Sequence, residues 1–147
     1  MLPRKRLNHE APYWVTSEAD YFVTICVEPR KRNHFCHPEV GKAVLDAAKL
    51  YNEKQVWWCH LIMLMPDHIH MLVCFPPEKI MSQVVGLWKR ALARKHAISW
   101  QRNYFDHRVR NEDNDFFKSE YILNNPVRAG LIDQWEEWPY YWMPGAA

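Results

Sequence analysis

Between Val56 and Val73 the chain is apolar almost throughout, broken by one turn at Met65-Pro66-Asp67. Two such runs back to back read as consecutive strands, and the second, following another apolar strand, belongs in the middle of a sheet. That second run carries His68-Ile69-His70. Alternate side chains of a strand share a face, so the two histidines project together while Ile69 points into packing on the other side. At a rise of about 3.3 Å per residue their Cα atoms stand roughly 6.6 Å apart. Two imidazoles at that spacing can lean onto one divalent cation, which makes the pair a two-ligand half-site on a rigid scaffold. A bare pair of this kind more often binds nothing. Here the mid-sheet position makes burial without partners costly, and the other half of a site must come from elsewhere in the chain.

The remaining elements follow from periodicity. Tyr21 to Val27 is a β-branched and aromatic strand. After a basic loop from Pro29 to His37, His37-Pro38 opens a helix with Val40, Ala43, Val44, Ala47, Ala48 and Tyr51 at three- and four-residue spacing. Pro76-Pro77 stops the histidine strand, and a second helix runs from about Lys79 to Ala97. Its apolar face is Ile80, Val84, Val85, Leu87, Trp88, Ala91 and Leu92, with Lys89, Arg90, Arg94 and Lys95 on its other side. A fourth strand is expected over 104–109 and a final helix over about 115–123, restarting at Pro126. Residues 1–19 form an irregular basic arm and 132–147 a tail rich in Trp, Pro and Tyr. Strand, helix, strand, strand, helix, strand, helix is an α+β order: a ferredoxin-like split β-α-β sheet with an added C-terminal helix. In that topology the first and third strands are the central pair.

A length of 147 residues suits one domain with a real core, and 48% hydrophobic with 14% aromatic residues argues for a packed globule. No apolar stretch reaches the roughly 18 residues needed to cross a bilayer, and Arg4-Lys5-Arg6 is followed by polar residues rather than an apolar signal core, so a cytoplasmic protein is expected. Cys26, Cys36, Cys59 and Cys74 lack metal-site spacing and read as reduced structural thiols. Net charge is only +2, but four basic clusters in so small a domain make a basic groove plausible.

One more segment carries chemistry: Ser119-Glu120-Tyr121-Ile122-Leu123-Asn124-Asn125-Pro126-Val127-Arg128-Ala129-Gly130-Leu131. Tyr121 and Asn125, four apart, would share a face of a continuous helix about 6 Å along its axis. Laid across the histidine face, such a helix could present a nucleophile and a third ligand together. Alone, the segment reads rather as a core tyrosine on an amphipathic helix with Asn125 capping the next turn, and Pro126 biases Asn125 away from helical dihedrals.

The histidine strand, the Tyr121–Leu131 segment and Trp100-Gln101-Arg102-Asn103-Tyr104-Phe105-Asp106-His107-Arg108-Val109-Arg110 between them resemble the REP-associated tyrosine transposases, within the single-tyrosine HUH transposases of bacterial insertion sequences. The match spans residues 3–142. It implies an HUH-endonuclease-type sheet with the nucleophilic tyrosine on a late helix. It further implies cutting and rejoining of single-stranded DNA at short palindromic repeats through a 5′-phosphotyrosine, using Mg2+ or Mn2+. Carried over, His68 and His70 are metal ligands, Tyr121 the nucleophile and Asn125 the third ligand; Asp106, His107 and Arg108 match a signature without an assigned step. Phosphate contacts are expected from Lys89, Arg90, Arg94 and Lys95, then from Arg4, Lys5 and Arg6. The partner would be single-stranded or hairpin DNA, the protein a monomer or homodimer. Two alternatives share the fold: a non-catalytic nucleic-acid-binding module, and a relaxase- or replication-initiator-like nicking enzyme.

Overall fold

The computed structural model describes residues 11–16, 18–109 and 112–145, over 112–115 in backbone alone. Five strands, β1 (Asp20–Cys26), β2 (Trp58–Leu64), β3 (His68–Cys74), β4 (Phe105–Val109) and β5 (Tyr141–Trp142), form one sheet in the order β4-β1-β3-β2-β5. All neighbours run antiparallel. The helices are α1 (Pro38–Glu53), α2 (Met81–His96), α3 (Glu112–Leu123) and the single turn α4 (Asn125–Arg128). β1 and β3 are the central pair, as the split β-α-β reading requires.

Alternation along the strands sorts the molecule into two layers. Val23, Ile25 and Val27, with Ile69, Met71 and Val73, face α1 and α2, where Val44, Ala48, Val84, Val85 and Trp88 close the main core. Each such side chain, fully withdrawn from water, contributes on the order of 1.5–3 kcal/mol. On the opposite face Leu61, Met63, Leu72 and Val109 meet Ile122 and Leu123 of α3 and Trp138 of the tail. The sheet is therefore covered on both sides, but the second cover is partial. It leaves the β1–β3 seam near His68 and His70 only half-buried.

Three features depart from the sequence expectation. The 11–19 segment is not wholly irregular: a 3-10 turn at Tyr13–Thr16 buries Trp14 and Val15 against Trp58 and Cys74. The tail is not a loose end, because β5 adds to the outer edge of β2, Tyr140 O accepts from Leu64 N at 2.8 Å, and Trp138 Nε1 donates to Leu64 O at 3.0 Å. An edge strand with free N–H and C=O groups attracts such a cover. Third, Ile80 and Leu87 stand 57% exposed while Lys89 is buried. Val85, Trp88, Lys89 and Leu92 follow three- and four-residue spacing, so Lys89 lies in the inward stripe that its charge alone would not suggest. Its ammonium escapes by donating to Gln101 O at 2.9 Å, and burial pushes its pKa down.

All four cysteines are free, with Cys26, Cys59 and Cys74 buried. Pro38 opens α1 at a position where a missing N–H costs nothing. Gly41 in the next turn is required by contact: an added Cβ would stand 2.8 Å from Tyr140 Cδ1 and 3.0 Å from Phe35 O. At the far end of α2, Ala97 takes the left-handed conformation (φ 54°) that favours glycine. Thermal or urea denaturation should therefore show opposite signs at these two sites. Gly41→Ala should lose about 1–2 kcal/mol by overpacking despite better helix propensity, and Ala97→Gly should gain up to about 1 kcal/mol.

Candidate active site

The register of β1 against β3 builds the site. Cys26 lies opposite His68 and Thr24 opposite His70, with Met63 of β2 flanking His70 on its other side. The two imidazole centroids are 4.7 Å apart at 77°. Each ring is fixed through Nδ1. Asp67 Oδ1 lies 2.8 Å from His68 Nδ1, and Thr24 Oγ1 lies 3.0 Å from His70 Nδ1. The second carboxylate oxygen of Asp67 accepts from Arg30 Nε at 2.8 Å and from the Lys31 N–H at 2.7 Å. Burial alone would raise the Asp67 pKa. The hydrogen bonds from Arg30, Lys31 and His68, with the Arg30 charge, outweigh it and hold the carboxyl well below the usual carboxylate range. An ionised carboxylate accepts only, so His68 Nδ1 is the donor, and in the neutral ring it is Nε2 that carries the lone pair. Among the described residues neither Nε2 of the pair has a hydrogen-bond partner.

His70 is the more enclosed ring. Burial, then the charges of His68 and Arg128, push its pKa down to about 3, so it is neutral at physiological pH and available as a ligand.

Tyr121 comes to the same face from α3, which lies against β3 and β2. Its ring centroid is 6.0 Å from that of Phe22, and Phe22 is 5.3 Å from His70, so one β1 aromatic bridges nucleophile candidate and histidine. Tyr121 is 52% exposed, reachable by a large substrate. Beyond it the backbone does not straighten before Pro126. Asn124 keeps right-handed helical dihedrals (φ −85°, ψ 0°), and Asn125 and Pro126 open α4 as its first two residues. The expected bias of Asn125 away from helix is thus not followed, because Pro126 occupies the first turn, where its missing N–H is harmless. Asn125 stays one turn beyond Tyr121, half-buried, its amide without a hydrogen-bond partner among the described residues.

Sequence reasoning missed four supporting side chains. Asp67 was readable as the residue before His68, but its hold on the ring and on Arg30 depends on the 28–36 loop folding over the turn. Thr24 is paired by register alone. Lys118 Nζ lies 5.3 Å over the Phe22 ring, and the Arg128 guanidinium 3.9 Å over the Tyr121 ring. Conversely, the basic set on α2 is displaced. Lys89 is buried, and Arg90, Arg94 and Lys95 are exposed on a helix that covers the opposite face of the sheet from the histidines. Arg4, Lys5 and Arg6 lie outside the described residues. On β4, His107 sits opposite Phe22 and shares the histidine face, whereas Asp106 and Arg108 alternate to the other.

A ferredoxin-like sheet with a histidine pair on its central strand and a tyrosine brought to them by a late helix defines the single-tyrosine transposase architecture. The IS200-like transposase family model matches residues 17–125, and the chain belongs to that family of enzymes. A Haemophilus influenzae protein described provisionally as a REP-associated tyrosine transposase is 23% identical over 139 residues, covering 82% of this chain and 77% of its own length. The REP-associated tyrosine transposase of Escherichia coli K12 is 25% identical over 83 residues, 53% of this chain and 49% of its own length. Among solved structures, a REP-associated tyrosine transposase bound to a REP hairpin superposes with a TM-score of 0.74 at 19% identity, covering 96% of this chain and 82% of that one.

Two measurements check the electrostatics. Because the folded Asp67 pKa is depressed, its contribution is present above the usual value near 3.9 and fades as pH falls below it. Asp67→Asn should cost about 1–3 kcal/mol at pH 7, with the gap to wild type closing below about pH 4. For His70, the unfolded chain takes up a proton near pH 6.5 and the folded chain only near 3, so this ring weakens the fold progressively as pH drops between those values. Imidazole nitrogen NMR should show His70 neutral at pH 5; a protonated ring there would contradict the enclosed geometry.

Proposed function

We propose that this protein cuts and rejoins single-stranded DNA at short palindromic hairpins, with Tyr121 as nucleophile and a divalent cation bound by His68, His70 and Asn125. The observation that carries this reading is the convergence on one sheet face of Tyr121, through Phe22, with two imidazoles whose Nε2 atoms are both open. The donor set fits a cation of borderline hardness. Among the described residues no third His, Cys, Asp or Glu joins the pair, so an amide oxygen, water and phosphate oxygens would complete the shell. Two nitrogens with oxygens suit Mn2+, and Mg2+ is the oxygen-preferring, abundant alternative. When bound, such an ion neutralises charge on the non-bridging oxygens of the scissile phosphate.

The protein's own groups do the rest. Tyr121 Oη attacks phosphorus in line, giving up its proton to solvent. The P–O3′ bond breaks and the 3′-oxygen leaves as a hydroxyl. The bond energy is kept in the 5′-phosphotyrosine, so a 3′-hydroxyl from the same or another strand can attack the phosphorus, displace Tyr121 and restore the phosphodiester. No nucleotide cofactor is needed. Thr24 and Asp67 keep the two rings from turning during these steps.

DNA would be held on this face by Arg30 and Lys118 rather than by the outer side of α2. Phe105, 68% exposed beside Thr24 on the neighbouring strand, offers a surface for stacking an unpaired base. The relative whose structure contains a REP hairpin supports the choice of hairpin DNA. The expected place of action is the cytoplasm; among the described residues no helix is long and apolar enough to cross a membrane. A monomer suffices if Tyr121 acts on the histidines of its own chain, as this arrangement allows.

Denaturing gels of a hairpin substrate with Mn2+ should show a covalent protein–DNA adduct that Tyr121→Phe abolishes. Persistence of the adduct in that variant would move the nucleophile elsewhere. His68→Ala should cut cleavage by at least about a hundredfold while hairpin affinity, set by phosphate and base contacts, stays near wild type. Equal loss of both would favour a binding role for the histidine face.

A further inference from the structure

Arg128 grips Tyr121 twice. Its Cζ stands 3.9 Å from the ring centroid, and its Nη2 donates to the Tyr121 carbonyl at 2.7 Å. The two contacts need a specific chain path. α3 ends two residues after Tyr121, and the turn of α4 carries Arg128 back alongside it. Arg128 N–H itself bonds Asn124 O at 2.9 Å and Ala129 N–H bonds Asn125 O at 2.9 Å, so the backbone under the guanidinium is fixed. Among the described residues no carboxylate pairs with Arg128, although its charge is felt at His70.

A guanidinium carries five N–H donors in a rigid plane, of which the Tyr121 carbonyl uses one. A half-exposed tyrosine would otherwise distribute over several side-chain rotamers, and its hydroxyl would move with them. A stacked cation at an exposed site is too weak an interaction to matter greatly for folding. It is enough to select one ring orientation, and in-line displacement depends steeply on that orientation. Phe22 also borders the ring, its centroid 6.0 Å away.

We propose that Arg128 is the positioning residue of the nucleophile: it holds the Tyr121 ring in the orientation that faces the histidine pair and turns its remaining N–H groups toward the phosphate being attacked. The alternative, an arginine that merely caps the end of α3, would act on stability alone. A simple phosphate contact would act on affinity and would accept lysine. The role proposed requires a planar, stacking cation and acts on rate.

The inference rests on the reading of Tyr121 as nucleophile, and one series of variants separates the two. Single-turnover adduct formation is measured at saturating hairpin DNA with Mn2+, beside hairpin affinity and melting temperature. Arg128→Gln and Arg128→Lys should each slow adduct formation by roughly 10- to 100-fold, with affinity and melting temperature near wild type. Arg128→Ala should behave alike and regain rate with added methylguanidinium but not with methylammonium. Full rate in Arg128→Lys, a defect confined to affinity, or a rate that falls only in step with melting temperature would each overturn the role of Arg128. No adduct from the wild-type protein would instead overturn the nucleophile assignment itself.

Discussion

The antiparallel pairing of β1 with β3 is the constraint on which the site depends. The same register that sets Ile25 opposite Ile69 inside the main core sets Thr24 opposite His70 on the other face. A slip of one residue would turn Ile69 and Met71 out of the core and the histidines into it, at a cost on the order of 1.5–3 kcal/mol for each apolar side chain lost from the core. The histidine geometry is thus held by apolar packing it takes no part in. That is an effective arrangement for two ligands that must not move: the sheet interior supplies rigidity, and the opposite face supplies access.

Around this seam the polar groups divide the work. Asp67 belongs to the turn between β2 and β3, and it ties the 28–36 loop to His68 by accepting from Arg30 and Lys31. Holding that carboxylate ionised in a nearly buried position takes three donors, and the three donors are what keep His68 in one tautomer. Thr24 does the same for His70 with a neutral hydroxyl, where burial already disfavours a charged ring. Phe22 then carries the packing outward to Tyr121, so the nucleophile candidate is exposed while the histidines stay half-buried.

The two-sided sheet also decides which surface meets substrate. α1 and α2 seal one face with the main core, and their basic outer residues look away from the site. Among the described residues α3, α4 and the tail cover the other, and β4 is exposed along most of its length. On the function proposed above, the DNA strand would lie there across Phe105, the histidines and Tyr121. The tail contributes by closing the β2 edge, the opposite border, with β5.

The order of the main strands and helices and the central place of the histidine strand were legible in the sequence, because they rest on period-two and period-3.6 patterns that local chemistry enforces, whereas the grouping of His68 and His70 with Tyr121 and Asn125 came from the resemblance. So were the buried thiols. Charge on α2 misled, since Lys89 is named by its side chain but placed by its angle around the helix, between Val85 and Leu92. What only the tertiary structure decided is which residues from distant segments meet: Thr24 with His70, Arg30 with Asp67, Arg128 with the Tyr121 ring. Those partnerships follow from strand register, from a loop folding over a turn and from the bend between α3 and α4. None of these leaves a periodic trace, because each is the meeting of two segments and not a property of either.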